Sequence, residues 1–294
     1  MAGVALASLL GAGMFLQAGA AATGGWDIGQ NQLPAAWPLV ESHGTPSSRV
    51  LWIGAAERRP FPAPGGDPQG LVSGTGATLR YAVTDRDGVS SLDTGRDASG
   101  PGYSYVRRVM TLVLSGTTHH AGALLAPTGI RDVIAQAGDL PGSAVTALDS
   151  QLDLNAIPAG GLIIYRVADP LPPASVVAAD GFARASRDSD LLDLVSQPGP
   201  DAKPLQPVTG GWRGSSDGAG LVLIADQFTD GWRLAASGGE EGPKQAFGWA
   251  TGFPAPRGAF SVTYAQQWVR TTEVALLAIL WAGALWITRK RVDR

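Results

Sequence analysis

The 294-residue chain contains no cysteine. That absence excludes disulfides, thiolate metal sites and cysteine nucleophiles, but leaves the compartment open. Charge is scarce as well: Asp, Glu, Lys and Arg make up 16% of the residues, low for a soluble globular chain. The formal net charge of −3 provides no basic face for a nucleic acid. There are three histidines, His43, His119 and His120. The adjacent pair would point ~100° apart on a helix, so sharing one metal ion is difficult. The chain has no Gly-x-Ser-x-Gly elbow and no His-Glu-x-x-His. No spacing of Ser, His and Asp selects a triad. The Gly-rich stretch GTGATLR (74–80) precedes a strand instead of following one, so it is not read as a phosphate loop.

Glycine and proline are plentiful, at 40 and 21 residues, about a fifth of the chain. Such a composition favours turns and short strands over long helices. The two ends are apolar. VALLAILWAGALWITRKR (274–291) runs without charge from Val274 to Ile287 and then meets Arg289, Lys290 and Arg291. A span needs ~20 residues; Thr271 and Thr272 are tolerable in a helix at one flank, and Thr288 adds a residue at the other. Glu273 and Arg270 would snorkel at the interface. Trp268 and Trp286 lie about 18 residues apart, or ~27 Å along a helix, suiting an aromatic belt at each face. Residues 269–288 are therefore expected to span a membrane, with the basic tail 289–294 in the cytoplasm. Residues 1–23 also carry no charge. They read as a first span. A signal with a small-residue cleavage site at Ala18-Gly19-Ala20 or Ala20-Ala21-Ala22 is the alternative, although the Lys or Arg that opens a signal is missing. A third reading makes the chain the tail of a longer membrane protein.

Between these ends the chain is expected to lie outside the cell. Residues 24–48 read as a turn-rich linker, with Trp26 and Trp37 at the membrane surface or on the body. Residues 49–170 alternate strands with short helices. RVLWIG (49–54), ATLRYAVTD (77–85) and IRDVIAQ (130–136) are strand-like. In 103–118, Val106, Val109, Met110, Val113 and Leu114 fall at helical spacing. HHAGALLAPTG is a short helix stopped by Pro127 and Gly129, and 143–151 a helix with Ser143 as N-cap. LDLNAIP and GLIIYRVA make a hairpin. Residues 171–268 start with LPPASVV and an amphipathic helix at 186–197. Strand-like runs follow at 220–228, 231–237, 244–256 and 258–268, with turn signals between them. The fold class expected is α+β and β-rich. A small α/β unit (49–170) is followed by a jelly-roll-like β-sandwich (171–268), flanked by terminal transmembrane helices.

Within LVLIADQFTDGWRLAASGGEEGPKQAFGWATGFPAPRGAFSVTYAQQW, Gln227, Phe228, Gly231, Trp232, Phe260, Val262 and Tyr264 follow a pattern. A strand leads to an aromatic or polar turn and Gly-Trp, then a small hairpin, then a strand ending in Tyr before a last span. This resembles the final extracytoplasmic segment of multispanning bacterial glycosyltransferases and YfhO-type membrane proteins. HAGALLAPTGIRDVIA and LDSQLDLNAIPAGGLIIYRV, through Leu148, Gln151, Leu152, Asp153 and Leu154, are similar to a segment of the actinobacterial members. The two stretches cover about 100 of the 294 residues. The resemblance implies a non-catalytic, C-terminal accessory part of a system that assembles envelope polysaccharide or glycolipid, acting with a multispanning glycosyltransferase. It implies no cofactor and no catalytic residue in this chain. The alternative is a membrane-tethered module that binds glycan or protein and takes no part in transfer.

Asp85-Arg86-Asp87 has the Asp-x-Asp form that holds a divalent metal in many sugar transferases, but followed by Gly it reads as a turn. Asp188-Ser189-Asp190 reads as the acidic start of a helix. No metal is therefore expected. Trp212, Trp249 and Tyr264 are the candidate glycan contacts, because an exposed aromatic face can stack on a sugar ring. Trp212 and Trp249, each beside glycine, are expected to be exposed, and Trp232 structural.

Overall fold

The computed structural model describes residues 48–56, 70–74, 76–84, 92, 100–159, 161–181, 201–265, 272, 276, 277 and 279–281. The expected first span (1–23), nearly all of the linker, the helix at 186–197, both Asp-x-Asp sequences and the basic tail lie outside these residues. The body is β-rich, with three sheets and few helices.

Strands β1 (Arg49–Ala55), β2 (Gly70–Gly74), β3 (Ala77–Thr84), β4 (Ile130–Gln136), β5 (Leu154–Ala159) and β6 (Leu162–Val167) form a six-stranded sheet in the order β2-β3-β1-β4-β6-β5. Its one parallel pair is β1 with β4. A parallel pair needs a crossover. Helix α1 (Pro101–Leu114), helix α2 (Ala121–Leu125) and a 3-10 turn (Ala126–Thr128) supply it. Proline in the first turn of α1 suits a position whose N–H has no helical partner. The residues expected on its inner face, Val106, Val109, Met110, Val113 and Leu114, are all buried. Gly129, at φ 72°, ends the 3-10 turn, and a Cβ there would meet Pro173 at 2.7 Å. Helix α3 (Gly142–Asp149) follows β4. It opens after Pro141 without a side-chain cap, so Ser143 lies inside its first turn and is not the expected N-cap.

Two antiparallel five-stranded sheets follow. One contains β7 (Ala174–Val177), β8 (Ala202–Pro204), β11 (Leu221–Gln227), β14 (Lys244–Ala246) and β15 (Ala250–Pro254), in the order β14-β15-β11-β7-β8. The other contains β9 (Gln206–Val208), β10 (Gly211–Asp217), β12 (Trp232–Ala236), β13 (Gly239–Glu241) and β16 (Arg257–Tyr264), in the order β13-β12-β16-β10-β9. Val176, Val222, Ile224 and Phe253 of the first sheet share a buried cluster with Trp232, Leu234, Phe260 and Val262 of the second. This arrangement is compatible with a β-sandwich.

The opposite face of the β11 sheet is buried as well. Val177, Leu221, Leu223, Ala225, Trp249 and Ala250 belong to one apolar cluster with α1, α2 and the inner face of the six-stranded sheet. The helices thus fill the space between two sheets, and the principal core crosses the boundary expected at residue 170. Buried Arg49 adds a polar joint there. From β1 its guanidinium donates to the backbone oxygens of Thr128 and Ala225 and pairs with Asp226. β11 is apolar on both faces because both are covered, whereas β10 alternates half-buried with exposed residues at the surface.

Several strands were not legible in advance. β2 (GLVSG) and β10 (GWRGSSD) are rich in Gly and Ser, which have little strand preference. They form because β3 and β16 pair with their backbones. The run at 244–256 divides into β14 and β15, because Phe247 (φ 53°) and Gly248 (φ 71°) turn the chain back.

Candidate functional site: an aromatic end of the two five-stranded sheets

β10 and β12 begin beside the end of β16: Trp212 pairs with Val262, and Trp232 with Tyr264. Side chains of one face recur every second residue, so this register gathers Trp212, Trp232 and Tyr264 at one end of the interior. Trp212 and Trp232 have ring centroids 5.2 Å apart at 41°. Trp232 and Tyr264 are 5.1 Å apart at 70°, edge to face. Both separations lie in the favourable range for aromatic pairs. Trp232 is buried and closes the core, whereas Trp212 and Tyr264 are half-buried at its margin.

The glycines beside them make this packing feasible. A Cβ on Gly231 would lie 2.5 Å from the Tyr264 ring. The Gly231 carbonyl accepts from the Ala265 N–H at 2.8 Å, and the Gly231 N–H donates to Thr229 Oγ1 at 3.0 Å. A Cβ on Gly211 would collide with the Val262 carbonyl. The Gly-Trp motif is therefore a packing device that seats Tyr264 over the chain and drives Trp232 inward.

Trp249 does not join this group. Its expected exposure is corrected by the structure: it is 1% exposed, with its ring centroid 5.9 Å from that of Tyr105 on α1. The preceding positive-φ turn swings it under the β11 sheet, so its faces meet protein and not solvent. Gln227 and Phe228 are half-buried and tie strands together. The Gln227 N–H donates to Leu92 O, and the Phe228 N–H to Trp249 O.

The second stretch behind the family resemblance also has a structural use. Gln151 Oε1 accepts from the Ala121 N–H at 3.0 Å. The two carboxylate oxygens of Asp153 accept from Gly122 and Ala123, at 2.9 and 2.7 Å. These residues cap α2 from a distance, meeting N–H groups that lack helical partners. Leu148 and Leu154 are buried behind them, and Leu152 is 77% exposed. Sequence reasoning did not foresee the capping, because the partners lie about 30 residues apart. His119 and His120 stay at the surface, with His119 Nδ1 3.2 Å from Ser150 O. Among the described residues no group of three or more His, Asp or Glu side chains is placed to hold a metal ion.

Beyond the aromatic end, the described residues of the C-terminal segment are helical. Leu276, Leu277, Ile279, Leu280 and Trp281 are between 42% and 69% exposed. At ~100° per residue they cover an arc of roughly 200°. A helix lying on a soluble body turns polar side chains outward over such an arc. Among the described residues no helix is long and apolar enough to cross a membrane. No protein-family model, curated protein or solved structure matches this chain.

Proposed function

We propose that the chain is a membrane-attached accessory part of a glycosyltransferase system that assembles envelope polysaccharide or glycolipid, with its β-rich body on the extracytoplasmic side. The attachment rests on one observation: five large apolar side chains between Leu276 and Trp281 stand in solvent, in a segment that follows the sandwich. Burying that surface in hydrocarbon removes the cost of hydrating it. The glycosyl-transfer context rests on the resemblance through Gly231-Trp232 and Tyr264. In this reading the two five-stranded sheets are a jelly-roll-like sandwich, terminal helices anchor the chain at both ends, and a multispanning glycosyltransferase is its partner. The chain itself contributes no catalytic residue.

The natural lack of cysteine makes a direct test clean. Ser237→Cys, at an exposed turn, should react with a membrane-impermeant maleimide in intact cells, and Val292→Cys only after lysis. The chain should pellet with membranes, leave them only with detergent, and co-purify with a multispanning transferase. Recovery of the chain in the soluble cytosolic fraction would overturn the reading.

The half-buried pair Trp212 and Tyr264 favours a second reading, a glycan-binding module independent of transfer. Binding on a glycan array that is lost in Trp212→Ala and Tyr264→Ala, with no transferase recovered, would select it.

A further inference from the structure

A separate cavity of about 300 Å³ opens where the six-stranded sheet meets the connection from β6 to β7. Arg131 and Arg166 line it with Ser48, and Pro170, Pro172 and Pro173 form a wall. Proline has a fixed φ and no N–H, so that wall is stiff and offers no backbone donor of its own.

Arg131 is placed there by an irregularity in the sheet. Arg49 pairs with Ile130 and Val50 with Asp132, which leaves Arg131 as the extra residue of a bulge in β4. A bulge re-aims the side chain it carries. Arg131 is 9% exposed, yet among the described residues its guanidinium makes no hydrogen bond. Burial holds its pKa below the usual arginine value; the Asp132 charge opposes that shift and the Arg166 charge adds to it. Asp132 Oδ1 accepts from Arg166 Nε at 2.9 Å, whereas its Oδ2 is buried without a hydrogen-bond partner. The Arg131 guanidinium therefore lines the cavity with its donors unengaged by the described residues. Buried donors left without a partner are costly, and arginine's planar fork of donors matches an oxyanion.

We propose that this cavity binds a small oxyanion, a carboxylate or phosphate group of a ligand, with Arg131 as its principal contact. The site is independent of the membrane reading and of the aromatic end. The test uses the full chain in detergent, titrated by calorimetry with inorganic phosphate, with glucuronate and, as a control, with glucose. At least one of the two anions should bind saturably, with Kd below about 10 mM, and glucose should not. Arg131→Gln should weaken that anion at least tenfold. Phosphate alone binding indicates a phosphorylated ligand, and glucuronate alone an acidic sugar. A stability readout separates binding from a structural role. Without anion, Arg131→Met should melt no lower than the parent protein, and the anion should raise the melting temperature of the parent protein only. Absence of saturable binding by both anions, equal binding by Arg131→Gln, or marked destabilisation of Arg131→Met without anion would each overturn the proposal.

Discussion

Trp249→Ala is informative because the sequence and the structure assign this residue opposite roles. Were Trp249 an exposed sugar platform, its removal would cost binding and leave stability unchanged. In the structure it is 1% exposed and lies against Tyr105, joining the β11 sheet to α1. Truncating such a residue costs ~3–5 kcal/mol. For a body of this size each kcal/mol lowers the melting temperature by ~2–4 °C, so a fall of ~6–20 °C is expected. The indole N–H of Trp249 is buried without a hydrogen-bond partner, and an unsatisfied donor costs ~1–3 kcal/mol. Trp249→Phe discards that donor together with part of the ring, so its net cost should be ~1 kcal/mol or less. Calorimetric melting of the full chain is the assay. Because the core runs from Leu51 to Ala250, the body should melt in one transition that shifts as a whole. Two separate transitions with only the later one moved would refute the shared core. A change under ~1 kcal/mol for Trp249→Ala would refute its burial.

Asp153→Ala should cost ~1–2 kcal/mol in urea unfolding, because it strips two acceptors from the start of α2; a loss below ~0.3 kcal/mol would refute the capping role. Stability should also fall in alkali. The Tyr105 phenol is pushed up by burial, and that of Tyr165 by burial and then by its hydrogen bond and charge interaction with Asp149. Both groups favour the protonated form in the fold. Their contribution is therefore complete below the unfolded tyrosine pKa of ~10 and is lost as pH rises beyond it. The double variant Tyr105→Phe/Tyr165→Phe should show a shallower decline above pH ~10, and an unchanged slope would refute this origin.

The parts of the fold legible in the sequence were those carried by local pattern. The 3–4 spacing from Val106 to Leu114 specifies a helix because one buried stripe needs that period. The apolar runs of β1, β3, β4, β6 and β11 specify strands. Gly129 specifies a stop because its backbone turns left-handed there. Trp232 is buried, yet a glycine neighbour was no guide to packing, since the same neighbourhood led Trp249 to be expected at the surface.

Tertiary structure alone decided the rest, because it depends on which distant segments meet. Trp212 and Trp249 have similar glycine-flanked neighbourhoods, yet one lies at the margin of the cluster shared by the two five-stranded sheets and the other in the principal core. Strand register and a positive-φ turn separate them, and neither can be read from a window of residues. Gln151 and Asp153 became caps only when the segment between α3 and β5 was brought beside α2. Arg131 faces a cavity only because β4 bulges against β1. Local propensity is a property of neighbours along the chain, whereas burial, capping and charge compensation are properties of neighbours in space.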